Sequence, residues 1–237
     1  MALQEAFLEV GDHKIYTWYK LSEVPRADKL TLVILHGAGK SYSERFMNIS
    51  QHFLDAGVSV VGLDFVGHGK TGGDMSDSSL DLRNTYTLAA IDHWLKPDNP
   101  LVLLGSSMGG HTALRLASTL GVRAHGLCLL QPAIYAREAE AVPFTEEFTK
   151  VLRQPGSWRN SSALHDAENF DGRVFIGIGS EDVVIPWGVI ESLTGAFRTS
   201  ARALRLEVFH GAGHDLPEWL PERPLVCQQM ATFFTES

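Results

Sequence analysis

Cysteine is scarce in this chain: two residues in 237, Cys128 and Cys227, far apart and at no metal-ligand spacing. That excludes a disulfide framework and offers no zinc or iron–sulfur site. Cys128 lies in the apolar run Gly126-Leu-Cys-Leu-Leu130, where a small buried thiol is expected; no disulfide is demanded, and a reducing compartment fits. Positive charge is also in deficit. Lys and Arg number 20 against 28 Asp and Glu, a formal net charge of −8. The basic residues are scattered, so a nucleic-acid partner is not expected. No apolar run approaches the roughly 18 residues of a membrane span. The first residues, Met-Ala-Leu-Gln-Glu-Ala-Phe, lack the basic and apolar regions of a secretory signal. Repeats, low-complexity tracts and Gly/Ser linkers are missing too. The expectation is a soluble, cytoplasmic chain forming a single domain over 1–237, with no membrane span.

What the chain does have is alternation. Short apolar runs separate longer amphipathic segments from residue 30 onward. Residues 14–19 alternate in the manner of a half-buried strand, with Gly11-Asp12 as a hairpin turn before them. Runs at 30–35, 58–63, 101–104, 126–130, 173–178 and 204–209 read as strands. Helices are expected at about 41–56, up to about 96 before Pro97, 108–120, 189–197 and after Pro221. Ser41-x-x-Glu44 has the pattern of a capping box, and Ser78-x-x-Asp81 resembles a helix cap. Such alternation implies an α/β fold, a mostly parallel sheet with helices on both faces. Residues 133–171 break the rhythm and read as an insertion, with helical stretches at 136–141, 144–152 and 161–168. It follows the carboxyl end of a strand, where open α/β sheets place ligands, so a small cap insertion is expected.

Gly105-Ser-Ser-Met-Gly109 stands between a predicted strand and a predicted helix. In that context Gly-x-Ser-x-Gly means a nucleophile elbow, because small flanking residues let strand and helix approach around a strained serine. Ser107 is centred in the pattern and is the expected nucleophile. A serine hydroxyl needs a base, and the base needs an orienting carboxylate, in the chain order Ser, acid, His. Of the later histidines, His111 runs along the same helix, His125 starts a strand and His165 lies in the insertion. In His210-Gly-Ala-Gly-His-Asp215 the glycines can bring His214 back over the sheet edge. His210 stays tied to the strand end, as a packing or hydrogen-bonding residue. Asp182 follows the preceding strand and is the expected acid, with Glu181 a solvated neighbour. Gln131-Pro132 occupy the other position from which an acid could come. Two backbone amides should form the oxyanion hole: Met108, and Ala38 in His36-Gly-Ala-Gly39. His36 precedes the serine and reads as a structural hydrogen-bonder.

Four segments resemble one family in order and spacing over nearly the whole chain. They are His36-Gly-Ala-Gly39, Asp64-Phe-Val-Gly-His-Gly-Lys-Thr-Gly-Gly73, Gly105-Ser-Ser-Met-Gly-Gly110, and Gly179-Ser-Glu-Asp182 with Gly213-His214. The chain resembles the α/β-hydrolases, especially the monoacylglycerol lipase and serine aminopeptidase-like branch. That resemblance implies the α/β-hydrolase fold, a Ser107–Asp182–His214 triad, Ala38 and Met108 as oxyanion donors, and a 64–73 loop that holds the active-site floor. No metal or cofactor is implied. Two features depart from the branch: Ser106 stands where histidine is usual, and the cap is short. The shorter cap argues for a small, partly exposed or carrier-borne acyl group.

The expected activity is therefore hydrolysis of a small-molecule carboxylic ester or thioester through an acyl-enzyme. The competing readings are a thioesterase or acyltransferase acting on a carrier-bound acyl group, and a non-catalytic binding protein on the same fold. Ser106 is expected to hydrogen-bond beneath the elbow. Val142-Pro-Phe-Thr-Glu-Glu-Phe148 and Trp158 read as packed residues that could alternatively line an apolar pocket.

Overall fold

The structure, a computed structural model, describes residues 2–236. Eight strands form one sheet in the order β1-β2-β4-β3-β5-β6-β7-β8. They are β1 (Gln4–Val10), β2 (His13–Lys20), β3 (Thr31–Leu35), β4 (Ser59–Leu63), β5 (Leu101–Ser106), β6 (Ala124–Leu130), β7 (Arg173–Gly179) and β8 (Ala203–Phe209). β1 and β2 form the antiparallel hairpin expected at Gly11-Asp12, and β2 pairs antiparallel with β4. Every pairing from β4 to β8 is parallel. The mostly parallel sheet is what the alternation implied, and its strand order is that of the α/β-hydrolase fold, which the family resemblance implied.

The central strands are buried from end to end, so they read as continuous apolar runs. Two apolar clusters cover the two faces. One gathers Val33, Leu103, Leu129 and Ile176 beneath α2 (Leu80–Trp94), α3 (Met108–Leu120), α5 (Ser162–Glu168) and α6 (Trp187–Ser200). The other gathers Ile34, Leu104, Cys128 and Phe175 beneath α1 (Met47–Asp55) and α7 (Pro224–Thr235). Cys128 and Cys227 are buried free thiols within that second cluster.

Three local expectations change. The capping box at Ser41 does not form: the chain passes through a 3₁₀ turn at Ser43–Phe46 before α1. Ser43 instead gives its amide and hydroxyl to Asp64 Oδ1, at 2.8 and 2.7 Å. Glu44 turns away to accept from Lys70 and Tyr16, at 2.8 and 3.2 Å. α2 is capped by Ser79, whose hydroxyl accepts from the Leu82 amide at 3.2 Å, rather than by Ser78. The excursion after β6 is also shorter than 133–171. α5 belongs to the layer on the sheet, because Ala163, Ala167 and nearby Phe170 sit in the same cluster as Ile176 and Phe197. What stands over the sheet edge is the stretch from a 3₁₀ turn at Arg137–Ala139 through the short α4 (Glu146–Leu152) to a second turn at Ser157–Asn160.

Candidate active site

β5 ends at Ser106 and α3 starts at Met108, leaving Ser107 alone at the reversal. Its backbone adopts φ 51°, ψ −118°, a conformation that strains any residue with a Cβ, at about 1–3 kcal/mol. Tertiary bonds hold it there. The Ser107 amide donates to Leu130 O at 3.0 Å, and its carbonyl accepts from Gly110 and Ala133, at 2.8 and 2.9 Å. The turn closes only with glycine beside it. A Cβ on Gly105 would lie 2.4 Å from Gly109 O, and one on Gly109 would lie 1.8 Å from Leu35 O.

Ser107 Oγ, so presented at the N-terminus of α3, lies 3.0 Å from His214 Nε2. His214 Nδ1 lies 2.9 Å from Asp182 Oδ2. The other carboxylate oxygen of Asp182 accepts from the Val184 and Ile185 amides, at 2.7 and 3.2 Å, which fixes the plane of the carboxylate. Asp182 is 7% exposed at its side chain and His214 28%, so the imidazole meets both a shielded acid and the open cleft. The loops carrying these residues interlock. Glu181 N donates to Ala212 O at 2.9 Å, Gly211 N donates to Ser180 Oγ at 3.0 Å, and Gly179 packs directly on the Ala212 and Gly213 carbonyls. The three residues singled out from the sequence are thus brought together.

The segments that carry the expected oxyanion donors adjoin Ser107. Gly37, in the loop after β3, comes so close that a Cβ there would lie 3.2 Å from Ser107 Cβ. Ala38 lines the cleft, and Met108 opens α3, where the first amides have no intrahelical acceptor. His36 is wholly buried. Its Nε2 accepts from Phe65 N at 3.1 Å, so its Nδ1 carries the proton and donates to Gly37 O at 2.7 Å. Burial holds His36 well below the usual imidazole range and keeps it neutral. The 64–73 loop is a structural floor: Asp64 also accepts from Lys70 N at 2.8 Å and Thr71 Oγ1 at 2.6 Å. Among the described residues no cluster of His, Cys, Asp and Glu has the arrangement of a metal site.

The cleft itself is small, about 150 Å³. Gly37, Ala38, Lys40, Ser41, Arg45, Ser106, Asp215 and Pro217 line it together with Ser107 and His214. The apolar residues of the excursion do not. Phe148 packs on Phe144 and Tyr135, with ring centroids 4.9 and 5.6 Å apart, and joins Leu80, Met108 and Ala139 in a satellite cluster. Ser106 is a correction: it opens on the cleft, and its hydroxyl makes no hydrogen bond beneath the elbow among the described residues. His210 is likewise exposed rather than packed.

Two residues at the site were not singled out from the sequence for a role there. Gln131, left-handed at φ 47° just after β6, is buried and donates through Nε2 to Gly213 O, one residue before His214. Arg83, wholly buried in α2, donates to His36 O and reaches Met108 Sδ at 3.3 Å.

A family described as serine aminopeptidase, S33, matches residues 26–160, more than half of the chain. The chain belongs to this family. The match takes in the β3 loop, the 64–73 floor and the elbow, and stops before Asp182 and His214. A monoacylglycerol lipase of Mycolicibacterium smegmatis is 29% identical over 205 residues, covering 79% of this chain and 71% of that protein. Human monoglyceride lipase is 29% identical over 147 residues, 60% of this chain; the stretch is 46% of the human protein, so the chain spans about half of it. Among solved structures, Est1E of Butyrivibrio proteoclasticus, bound to ferulic acid, superposes with a TM-score of 0.73 at 19% identity, over 95% of this chain and 97% of that one. The thioesterase domain of the curacin biosynthetic pathway superposes at 0.71 and 20% identity, over 98% and 100%. At these identities the structures speak to the fold of this S33 family member, not to its substrate.

Proposed function

We propose that the protein is a serine hydrolase that cleaves small carboxylic esters through an acyl-enzyme. The observation that carries this reading is the continuous path from Asp182 through His214 to Ser107, at 2.9 and 3.0 Å, beside a glycine-lined loop. As Ser107 Oγ attacks the carbonyl carbon, His214 Nε2 takes its proton and the carbonyl π electrons move onto oxygen. The Ala38 and Met108 amides meet that oxyanion at the helix N-terminus, where the dipole also favours negative charge. Asp182 holds the imidazole and stabilises it when protonated. His214 then gives its proton to the leaving alkoxide, and a water deprotonated by His214 releases the acid.

The size of the substrate follows from the cleft. A space of about 150 Å³ with largely polar or small walls suits a short acyl group. The aromatic residues that could have held a long chain are packed on one another over Met108. In this reading the stretch from 137 to 160 acts as a small cap. A series of p-nitrophenyl esters tests the proposal. The acetate and butyrate should show kcat/KM at least about tenfold above the decanoate, and Ser107→Ala should abolish turnover of all of them. Acyl-CoA substrates with the same acyl groups belong in the same panel. A preference for them over the esters would move the assignment to a thioesterase, and turnover unchanged in Ser107→Ala would overturn it.

A further inference from the structure

The mechanism above leaves a buried cation unused. Arg83 lies on the inner face of α2 with no exposed surface. Its Nη2 donates to the His36 carbonyl, its Nη1 lies 3.3 Å from Met108 Sδ, and its guanidinium carbon sits 3.7 Å above the centre of the Phe65 ring. Its Nε has no acceptor, and no carboxylate pairs with it among the described residues. The titratable groups that face it are His36, His68, His111 and Tyr135. Burial lowers all three imidazoles and pushes the phenol up to about 12, so at neutral pH every one of them is uncharged. The guanidinium is itself lowered by burial to about 9 and still carries its charge at pH 7. A buried cation without an anion is unfavourable, and an apolar side chain of that shape would suit the resting fold better.

The location of the charge is informative. His36 opens the loop that carries the Ala38 amide, and Met108 carries the second proposed donor. The two segments meet at this point, since a Cβ on Gly109 would lie 3.0 Å from His36 O. One guanidinium therefore touches both halves of the oxyanion hole from behind. We infer that Arg83 is a positioning residue for the oxyanion hole, bracing the β3 loop against the start of α3 and supplying the positive charge that the tetrahedral oxyanion balances. The inference rests on the ester-hydrolysis reading above. The bonds made and broken are those already given: Arg83 exchanges no proton with substrate and acts through the His36–Ala38 backbone and Met108.

Arg83→Met and Arg83→Lys test it, with p-nitrophenyl acetate as substrate and thermal unfolding as the check on folding. Loss of an oxyanion donor typically costs about 100- to 1000-fold in kcat, so a brace behind the donors should cost about 10- to 100-fold. Arg83→Met should show that loss in kcat with KM within about threefold of wild type. Affinity for phenylboronic acid, which forms an anionic tetrahedral adduct on serine, should fall in parallel. Arg83→Lys should recover activity only where its amine keeps its proton, toward the acid side of neutrality. Because a lysine starts from a lower pKa than an arginine in the same apolar site, its activity should fall on the alkaline side at a lower pH than wild type. Arg83→Met with kcat within about twofold of wild type would overturn the inference. So would Arg83→Lys as impaired as Arg83→Met at every pH, or with an alkaline limb superimposable on that of wild type. Should Arg83→Met not fold, the Arg83→Lys profile decides. Failure of the underlying reading looks different: wild-type protein that turns over no ester, or Ser107→Ala that still does.

Discussion

At the residue scale the site divides into side chains legible in the sequence and side chains that only the fold brings in. Ser107, Asp182 and His214 could be picked out because each follows a strand end in a small-residue loop at the carboxyl edge of the parallel strands. Gln131 and Arg83 could not. Gln131 stood as the residue that filled an acid's place, whereas its amide holds Gly213 and thereby the loop of His214. Nothing in the sequence sets Arg83 apart except its spacing. It falls three residues after Leu80 and seven before Ala90, on the buried stripe of α2. Two expectations follow. Asp182→Asn should lower kcat by about 10⁴-fold while the protein stays folded, because the amide favours the wrong imidazole tautomer. Steady-state kinetics beside circular dichroism would check it, and a loss below tenfold would remove Asp182 from the triad. Gln131→Leu preserves shape but frees Gly213, and should reduce kcat by about 3- to 30-fold by loosening the base loop.

At the scale of elements, β3 to β8 were legible to within two residues, most clearly in the central strands whose apolar runs are continuous. Helix starts were less so. Ser41-x-x-Glu44 has the chemistry of a capping box, but Asp64 and Lys70, distant in sequence, compete for Ser43 and Glu44 and win. Ser78 has an acid three residues on, Asp81, and so reads as the cap, but the geometry of the turn chooses Ser79. The α5 segment looked like part of an insertion because its neighbours are irregular, yet the Ala163 and Ala167 pair places it on the sheet. The joint between the acid and base loops is the most demanding element contact. A Cβ at Gly179 would lie 2.3 Å from Ala212 O and 2.6 Å from Gly213 O, and both atoms are backbone. Gly179→Ala should therefore displace the His214 loop, lowering kcat at least about 100-fold and also the melting temperature. Retention of wild-type kcat would mean that the two loops are not held together as described.

For the molecule as a whole, the buried imidazoles couple stability to pH. His36, His68 and His111 all lie below their unfolded value, His111 at about 3, and desolvation is the leading cause for each. A group whose pKa is depressed on folding leaves the unfolded chain holding the extra proton in acid. Stability is then complete above about pH 6.5 and falls as pH drops toward 3, by up to about 1.4 kcal/mol per pH unit for each histidine. Glu140, raised by burial, opposes the trend nearer its own range. Urea unfolding between pH 7 and 4 should show the decline, and His111→Gln should flatten it; an unchanged slope in that variant would contradict the assignment. Among the described residues no helix is long and apolar enough to cross a membrane. The central claim, that this fold presents Ser107 as an activated nucleophile, is tested most directly by intact-mass analysis after treatment with a fluorophosphonate. Wild-type protein should gain one phosphonyl group, mapped to Ser107 and not to Ser106, and Ser107→Ala should gain none. Unmodified wild-type protein, or an adduct on any other serine, would contradict it.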